Sequence, residues 1–150
     1  MLFVTPVGSV TLGYIENNLR CQFGKLRVDH EPSKKLANQL RRYLDGKRVD
    51  WFDAGIPDGP PFAKRCWEAC REIPYGETIS YKDLATRAGS PLASRAAGQA
   101  MRNNPMTILT PCHRVVSSNG KLNGYSGTTN PRSIQLKRKN FLLMLEGQTL

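Results

Sequence analysis

Between Asp53 and Pro61 the chain reads Asp-Ala-Gly-Ile-Pro-Asp-Gly-Pro-Pro, and no helix or strand can run through it. Proline has no backbone N–H to give a ladder or a helix, and glycine has no side chain to pack, so this stretch is a linker. It divides the 150 residues into a segment 1–58 and a segment 59–150, each built from short elements. That length suits one domain or two small ones and is enough to bury a real core.

In the first segment, Leu2-Phe3-Val4 and Ser9 to Ile15 are strand-like, with a Thr5-Pro6-Val7-Gly8 turn between them. After a turn at Glu16-Asn17-Asn18, Leu19-Arg20-Cys21-Gln22-Phe23 alternates with the two-residue period of a half-buried strand. Ser33 caps a helix whose stripe is Leu36, Leu40, Tyr43 and Leu44, with Gly46 past its end. Lys34, Lys35, Arg41 and Arg42 make a solvated face, and nothing in this segment suggests chemistry.

In the second segment, Pro60-Pro61 starts a helix that Pro74 stops, with Phe62, Cys66, Cys70 and Ile73 as its buried stripe. Tyr75-Gly76 is a turn. Ser80 and Asp83 form a capping pair for a short helix through Ala88, closed by Gly89, and a second helix runs from about Leu92 to Asn103. Two short helices joined through a glycine-containing turn resemble a helix-turn-helix. On the second, Arg95, Gln99 and Arg102 share one face, while Ala93, Ala96, Ala97 and Ala100 lie roughly opposite. Asn119-Gly120 predicts a hairpin between Val115-Val116-Ser117 and Lys121-Leu122, which would serve as a wing. A last helix, about Ile134 to Leu145, turns Phe141, Leu142 and Leu145 inward and Lys137, Arg138 and Lys139 outward.

Lys and Arg number 22 against 12 Asp and Glu, a formal charge of +10, which points to polyanionic partners: nucleic acid or an anionic membrane surface. No apolar run is long enough to span a bilayer, and Met1-Leu2-Phe3-Val4 is too short for a signal peptide. An intracellular, reducing compartment follows, where the four cysteines are thiols. Cys66 and Cys70 stand four apart on one helix with no CxxC pair, so they read as core thiols and no metal site is expected.

Chemistry concentrates at Pro111-Cys112-His113-Arg114-Val115, after the apolar run Met106 to Leu109. A thiolate is the nucleophile, and a nearby imidazole raises its population at neutral pH. On a strand the two side chains would face opposite ways, so the pair needs a strand end, a bend or a bridging water. Pro111 favours a strand end. On composition alone, the bland alternative is a buried structural cysteine beside a surface histidine.

These five residues resemble the active-site signature of the O6-alkylguanine-DNA alkyltransferases. The resemblance runs from about Phe62 to Gly147 and takes in Ile73-Pro74-Tyr75-Gly76-Glu77, Ile79-Ser80-Tyr81 and Ser94-Arg95-Ala96. It continues through Ala100 to Pro105, Gly124-Tyr125-Ser126-Gly127, and Leu142-Leu143 with Glu146-Gly147. It implies an α+β chain: an RNase H-like α/β domain over 1–58 and a winged helix-turn-helix domain over 59–150. It also implies stoichiometric transfer of an alkyl group from O6-alkylguanine, with O4-alkylthymine a further substrate, to a cysteine. The nucleotide is flipped out of duplex DNA approached through the minor groove.

By the same resemblance, Cys112 accepts the alkyl group, His113 acts on it through a water, and Glu146 orients His113. Tyr81 donates to the departing purine, and Asn104 braces the turn beneath the site. Met101 and Tyr125 line the pocket, Ser126 binds near O6, and the Val115 backbone reads the guanine amine. Arg95 fills the gap in the stack, while Arg102, with Ser94 and Gln99 on the same helix, holds the DNA. No cofactor is implied, and the protein is expected to act as a monomer in the cytoplasm (nucleoid) or nucleus, cooperativity on DNA being left open. One departure stands out: Thr128 to Ser133 makes the segment before the last helix several residues longer than the family's usual run. Rival readings are a lesion sensor that binds without transfer, a winged-helix regulator, and a cysteine hydrolase. Sensors replace the cysteine, a regulator needs no Cys–His pair, and a hydrolase turns over repeatedly.

Overall fold

The computed structural model describes residues 1–118 and 133–147. The predicted Asn119-Gly120 hairpin, Tyr125, Ser126 and Thr128 to Arg132 lie outside the described residues.

The chain opens with an antiparallel meander: β1 (Leu2–Thr5), β2 (Gly8–Ile15) and β3 (Asn18–Phe23), in that spatial order. Phe3 stands opposite Val10 and Leu12 opposite Cys21, and all four are buried on one face. Glu16 and Asn17 join β2 to β3 with φ of 50° and 64°, the paired positive angles of a two-residue hairpin turn. Helix α1 (Lys34–Leu44) begins where the Ser33 side chain accepts from Leu36 N–H, and it buries Leu36, Ala37, Leu40 and Tyr43. These side chains pack with the sheet into a first core.

That core is completed from beyond the linker, by Met106, Ile108, Leu109 and Leu142. The free edge of β3 is met by the same later segment: Cys21 N–H donates to the Pro105 carbonyl at 3.2 Å, and Thr107 N–H to the Cys21 carbonyl at 2.8 Å. The linker itself is not a loose tether. A Cβ on Gly59 would lie 2.7 Å from the Trp67 ring, so only glycine lets the backbone pass there.

A second core forms around α2 (Pro61–Arg71), α3 (Tyr81–Arg87) and α4 (Ser94–Arg102), from residues including Cys66, Cys70, Leu84, Ala97, Ala100 and Met101. Trp67 Nε1 ties α2 to α4 by donating to the Ala100 carbonyl at 2.9 Å. Between these helices, β4 (Ile79–Ser80) pairs in parallel with β5 (Val115–Val116). Helix α5 (Ile134–Leu145), capped by Ser133, places Leu136 in the second core and Leu142 in the first. Among the described residues, no helix is long and apolar enough to cross a membrane.

Four local expectations are corrected. Helix α4 starts at Ser94 rather than Leu92, because Ala93 N–H closes a turn on the Ser90 carbonyl and Pro91 sits inside that turn; Leu92 is wholly exposed. Ala96 is exposed, so the alanine face narrows to Ala97 and Ala100 with half-buried Ala93. Cys112-His113-Arg114 form a single 3₁₀ turn instead of a strand, closed by Arg114 N–H donating to the Pro111 carbonyl at 2.9 Å. Lys139 is fully buried, not solvated, and Arg138 is half-buried, so of the three basic residues only Lys137 faces water.

Candidate active site

The site begins with a braced turn. Asn104 Oδ1 accepts from Met106 N–H at 2.9 Å, and its Nδ2 donates to the Thr110 carbonyl at 2.8 Å. One side chain thus holds both ends of the 106–110 segment. Within it, buried Ile108 has φ of +76°, an angle that a β-branched residue adopts only under constraint. Thr110 O also accepts from Cys112 N–H at 2.7 Å, so the clamp on this segment sets the position of the cysteine. The 3₁₀ turn then swings His113 inward, away from the surface of the cleft, while Cys112 stays 7% exposed at its floor.

Behind Cys112 lies a buried polar cluster centred on Glu146, at the C-terminal end of α5. His113 Nε2 is 2.7 Å from Glu146 Oε2. Arg114 donates from Nε to Oε1 at 2.8 Å and from Nη2 to Oε2 at 3.1 Å, while its Nη1 donates to the Ile73 carbonyl at 2.8 Å. Gly76 N–H donates to Oε1 at 3.0 Å, and the Tyr43 hydroxyl donates to Oε2 at 2.5 Å. Burial alone would raise the carboxyl pKa. The hydrogen bonds and charges of His113 and Arg114 outweigh it and hold Glu146 well below the usual carboxylate range.

For His113 the balance falls the other way. Burial lowers its pKa, and the opposing pull of Glu146 is offset in part by the nearby Arg114 and Lys139 charges. The imidazole is therefore neutral at neutral pH. Its Nδ1 is buried with no hydrogen-bond partner among the described residues. A neutral ring with one nitrogen on a carboxylate and the other open is arranged to accept a proton.

The remaining thiols are unsuited to attack. Burial, with the charge of Cys112, pushes Cys21 and Cys70 far above the ordinary thiol range, and burial pushes Cys66 up to about 11. Burial likewise raises Tyr81 to about 12, so it stays a hydroxyl donor. Lys139 donates from Nζ to the Val115 carbonyl at 2.7 Å and stands 5.8 Å from the centre of the Tyr81 ring; burial lowers it to about 8.

In front of Cys112 opens a cavity of about 470 Å³. Of the residues predicted from sequence, Cys112, Tyr81, Met101, Asn104, Arg95, Gln99 and Arg102 all line it. Gly98 lines it too, 3.7 Å from Tyr81 for a Cβ placed there. His113 and Glu146 sit behind the cysteine. Val115 is buried, with its carbonyl engaged by Lys139, and Ser94 opens α4 without lining the cavity. Sequence reasoning missed Arg114, Lys139 and Tyr43. It also missed β3, which brings Gln22 and Phe23 to the cavity wall. For Lys139 a signal existed: Leu136, Lys139, Leu142 and Leu143 fall on one helical stripe, and that periodicity puts the lysine on the inward face.

A cysteine at the floor of a cavity bordered by arginines, with a His–Glu–Arg cluster behind it, is the arrangement of a thiol-nucleophile protein whose cavity suits an anionic partner. Residues 61–148 match the family model described as 6-O-methylguanine DNA methyltransferase, DNA binding domain. A methylated-DNA–protein-cysteine methyltransferase of Methanosarcina acetivorans is 38% identical, over 97% of this chain and 96% of its own. That of Mycolicibacterium paratuberculosis is 44% identical, over 95% and 88%. The crystal structure of Mycobacterium tuberculosis OGT in complex with DNA superposes with a TM-score of 0.78 at 34% identity, covering 97% of this chain and 91% of that one. The chain belongs to the methylated-DNA–protein-cysteine methyltransferase family, enzymes of direct-reversal DNA repair.

Proposed function

We propose that Cys112 takes one alkyl group from the O6 atom of a guanine flipped out of duplex DNA, and keeps it. The observation that carries this reading is the placement of Cys112 at the floor of the cavity with neutral His113 and ionised Glu146 behind it. The Sγ proton passes through a water to His113 Nδ1. Sγ bonds to the alkyl carbon as the carbon–O6 bond breaks, and the electron pair stays on the purine. Tyr81, held as a hydroxyl, donates a hydrogen bond to the purine as it leaves, and the purine takes up one proton in place of the one Cys112 gave to His113. The product is a thioether that no group in the site hydrolyses, so the reaction is single-turnover. O4-alkylthymine presents the same alkyl–oxygen bond.

Arg95 fills the vacated stack and Arg102, with Ser94 and Gln99, holds the backbone. Asn104 is the brace, Met101 a pocket wall, and Val115 reads the guanine amine. We assign Tyr125 to the pocket and Ser126 to O6 on the family resemblance. Helices α3 and α4 support a winged helix-turn-helix reading of 59–150, entering the minor groove. The meander with α1 across it supports an RNase H-like reading of 1–58. The protein works as a monomer on double-stranded DNA inside the cell, without cofactor. The test is stoichiometry: with methylated duplex in excess, repair should stop at one equivalent per protein. Repeated turnover indicates a hydrolase, and tight binding with no repair indicates a sensor.

A further inference from the structure

Helix α1 is separated from Cys112 by the whole linker and three helices, yet one of its side chains ends inside the polar cluster. Tyr43 is fully buried, packed edge-on against Phe52 and Tyr75 with ring centres 5.9 and 6.1 Å away. Its hydroxyl donates to Glu146 Oε2 at 2.5 Å, and the same oxygen lies 3.2 Å from His113 Nε2.

A phenol carries one proton, and an ionised carboxylate can only accept. With that proton committed to Glu146, Tyr43 Oη offers His113 only lone pairs. Both oxygens facing Nε2 are then acceptors: Glu146 Oε2 at 2.7 Å and Tyr43 Oη at 3.2 Å. Nε2 must carry the ring hydrogen, and Nδ1 must carry the lone pair. Burial, then the charge and hydrogen bond of Glu146, hold Tyr43 well above its ordinary pKa, so it remains a donor throughout.

Tyr43 also competes with His113 for Oε2. Every hydrogen bond that draws charge from that oxygen leaves less to stabilise a protonated imidazole. The other groups acting on His113 are Arg114 in the same turn and Lys139 on α5, with Tyr75 acting on Tyr43. Arg114 also donates to Oε2, at 3.1 Å, but Tyr43 Oη lies within hydrogen-bond distance of both Oε2 and His113 Nε2.

We propose that Tyr43 is a positioning residue for alkyl transfer: as a second acceptor beside Glu146 it holds His113 in the Nε2–H tautomer and tempers its basicity, leaving the lone pair on Nδ1, which has no hydrogen-bond partner among the described residues. This rests on the reading of His113 as proton acceptor for Cys112. The sequence has two histidines, and His30 is exposed, so ring nitrogen NMR resolves His113 beside an internal reference. In the wild-type protein at neutral pH, His113 should be protonated on Nε2 alone. Tyr43→Phe keeps the ring and removes the hydroxyl, so the His113 midpoint should rise by about half a pH unit or more. The acid limb of the transfer rate should move up with it, while DNA affinity stays unchanged. An Nδ1–H tautomer in the wild type overturns the proposal without need of any variant. So does a His113 midpoint that stays put or falls in Tyr43→Phe. Failure of the wild type to transfer at all would strike the functional reading instead, and the ring titration would still report on Tyr43.

Discussion

Arg114 grips Glu146 side-on, Nε 2.8 Å from Oε1 and Nη2 3.1 Å from Oε2, with both side chains buried. A two-point contact fixes the carboxylate plane, and with it the oxygen offered to His113. Arg114→Ala would leave Glu146 buried with its main counter-charge gone. It should cost about 3–5 kcal/mol of stability, measured by urea unfolding. A loss under about 1 kcal/mol would mean that solvent reaches the cluster and the pair behaves as a surface bridge.

The same cluster predicts how stability depends on pH. Glu146 is held below the ordinary carboxylate value, so on acidification the unfolded chain takes up its proton first. Its contribution is complete above about pH 4.3 and is lost as pH falls from there toward the lowered folded value. His113 is also lowered, so its contribution is present above about pH 6.5 and is lost as pH falls below it. Both act in one direction. The melting temperature should decline in two stages on acidification, and Glu146→Gln should flatten the lower stage. If Glu146→Gln melts in parallel with wild type across that range, Glu146 is not the ionised centre of the cluster.

Asn104 is expected to matter as a clamp. Asn104→Ala removes two buried hydrogen bonds from the segment that holds Ile108 at a strained angle. At about 1 kcal/mol each, with some relief of strain in return, the loss should be about 1–3 kcal/mol. Transfer should slow more than DNA affinity weakens, because the displaced group is Cys112 and not α4. Equal losses in rate and affinity would place Asn104 in DNA binding.

The cationic rim of the cavity predicts salt-dependent DNA binding. Arg102→Ala should weaken affinity across sequences and reduce the slope of log affinity against log salt by about 1. Arg95→Ala should slow repair in duplex DNA more than in single strands, since only a stack needs refilling. Equal slowing on both substrates would remove that role from Arg95.

Much of this architecture was legible in local sequence signals. Ser33, Ser80 and Ser133 cap α1, α3 and α5 by accepting from N–H groups three residues on, and the first two caps were predicted as such. Cys112, His113 and Glu146 were named from the family resemblance, and the structure brings them together. What escaped was set by tertiary contact. Tyr43 read as core because its partner Glu146 lies 103 residues away in the chain. Lys139 read as solvated because its charge was weighted above its place on the Leu136–Leu142 stripe. For the Cys112 pair the sequence left a strand end, a bend or a bridging water open, because Pro111 marks where a strand can stop but not the 3₁₀ turn that follows.

The central claim is that Cys112, alone among four thiols, is the acceptor. The other three are driven toward the inert thiol by burial, while Cys112 faces the cavity. The most direct test is peptide-mapped mass spectrometry after incubation with excess O6-methylguanine duplex. The account predicts one added methyl per molecule, on Cys112, and none on Cys112→Ala, which should still bind the DNA. A methyl found on Cys21, Cys66 or Cys70, or continued repair by Cys112→Ala, would contradict it.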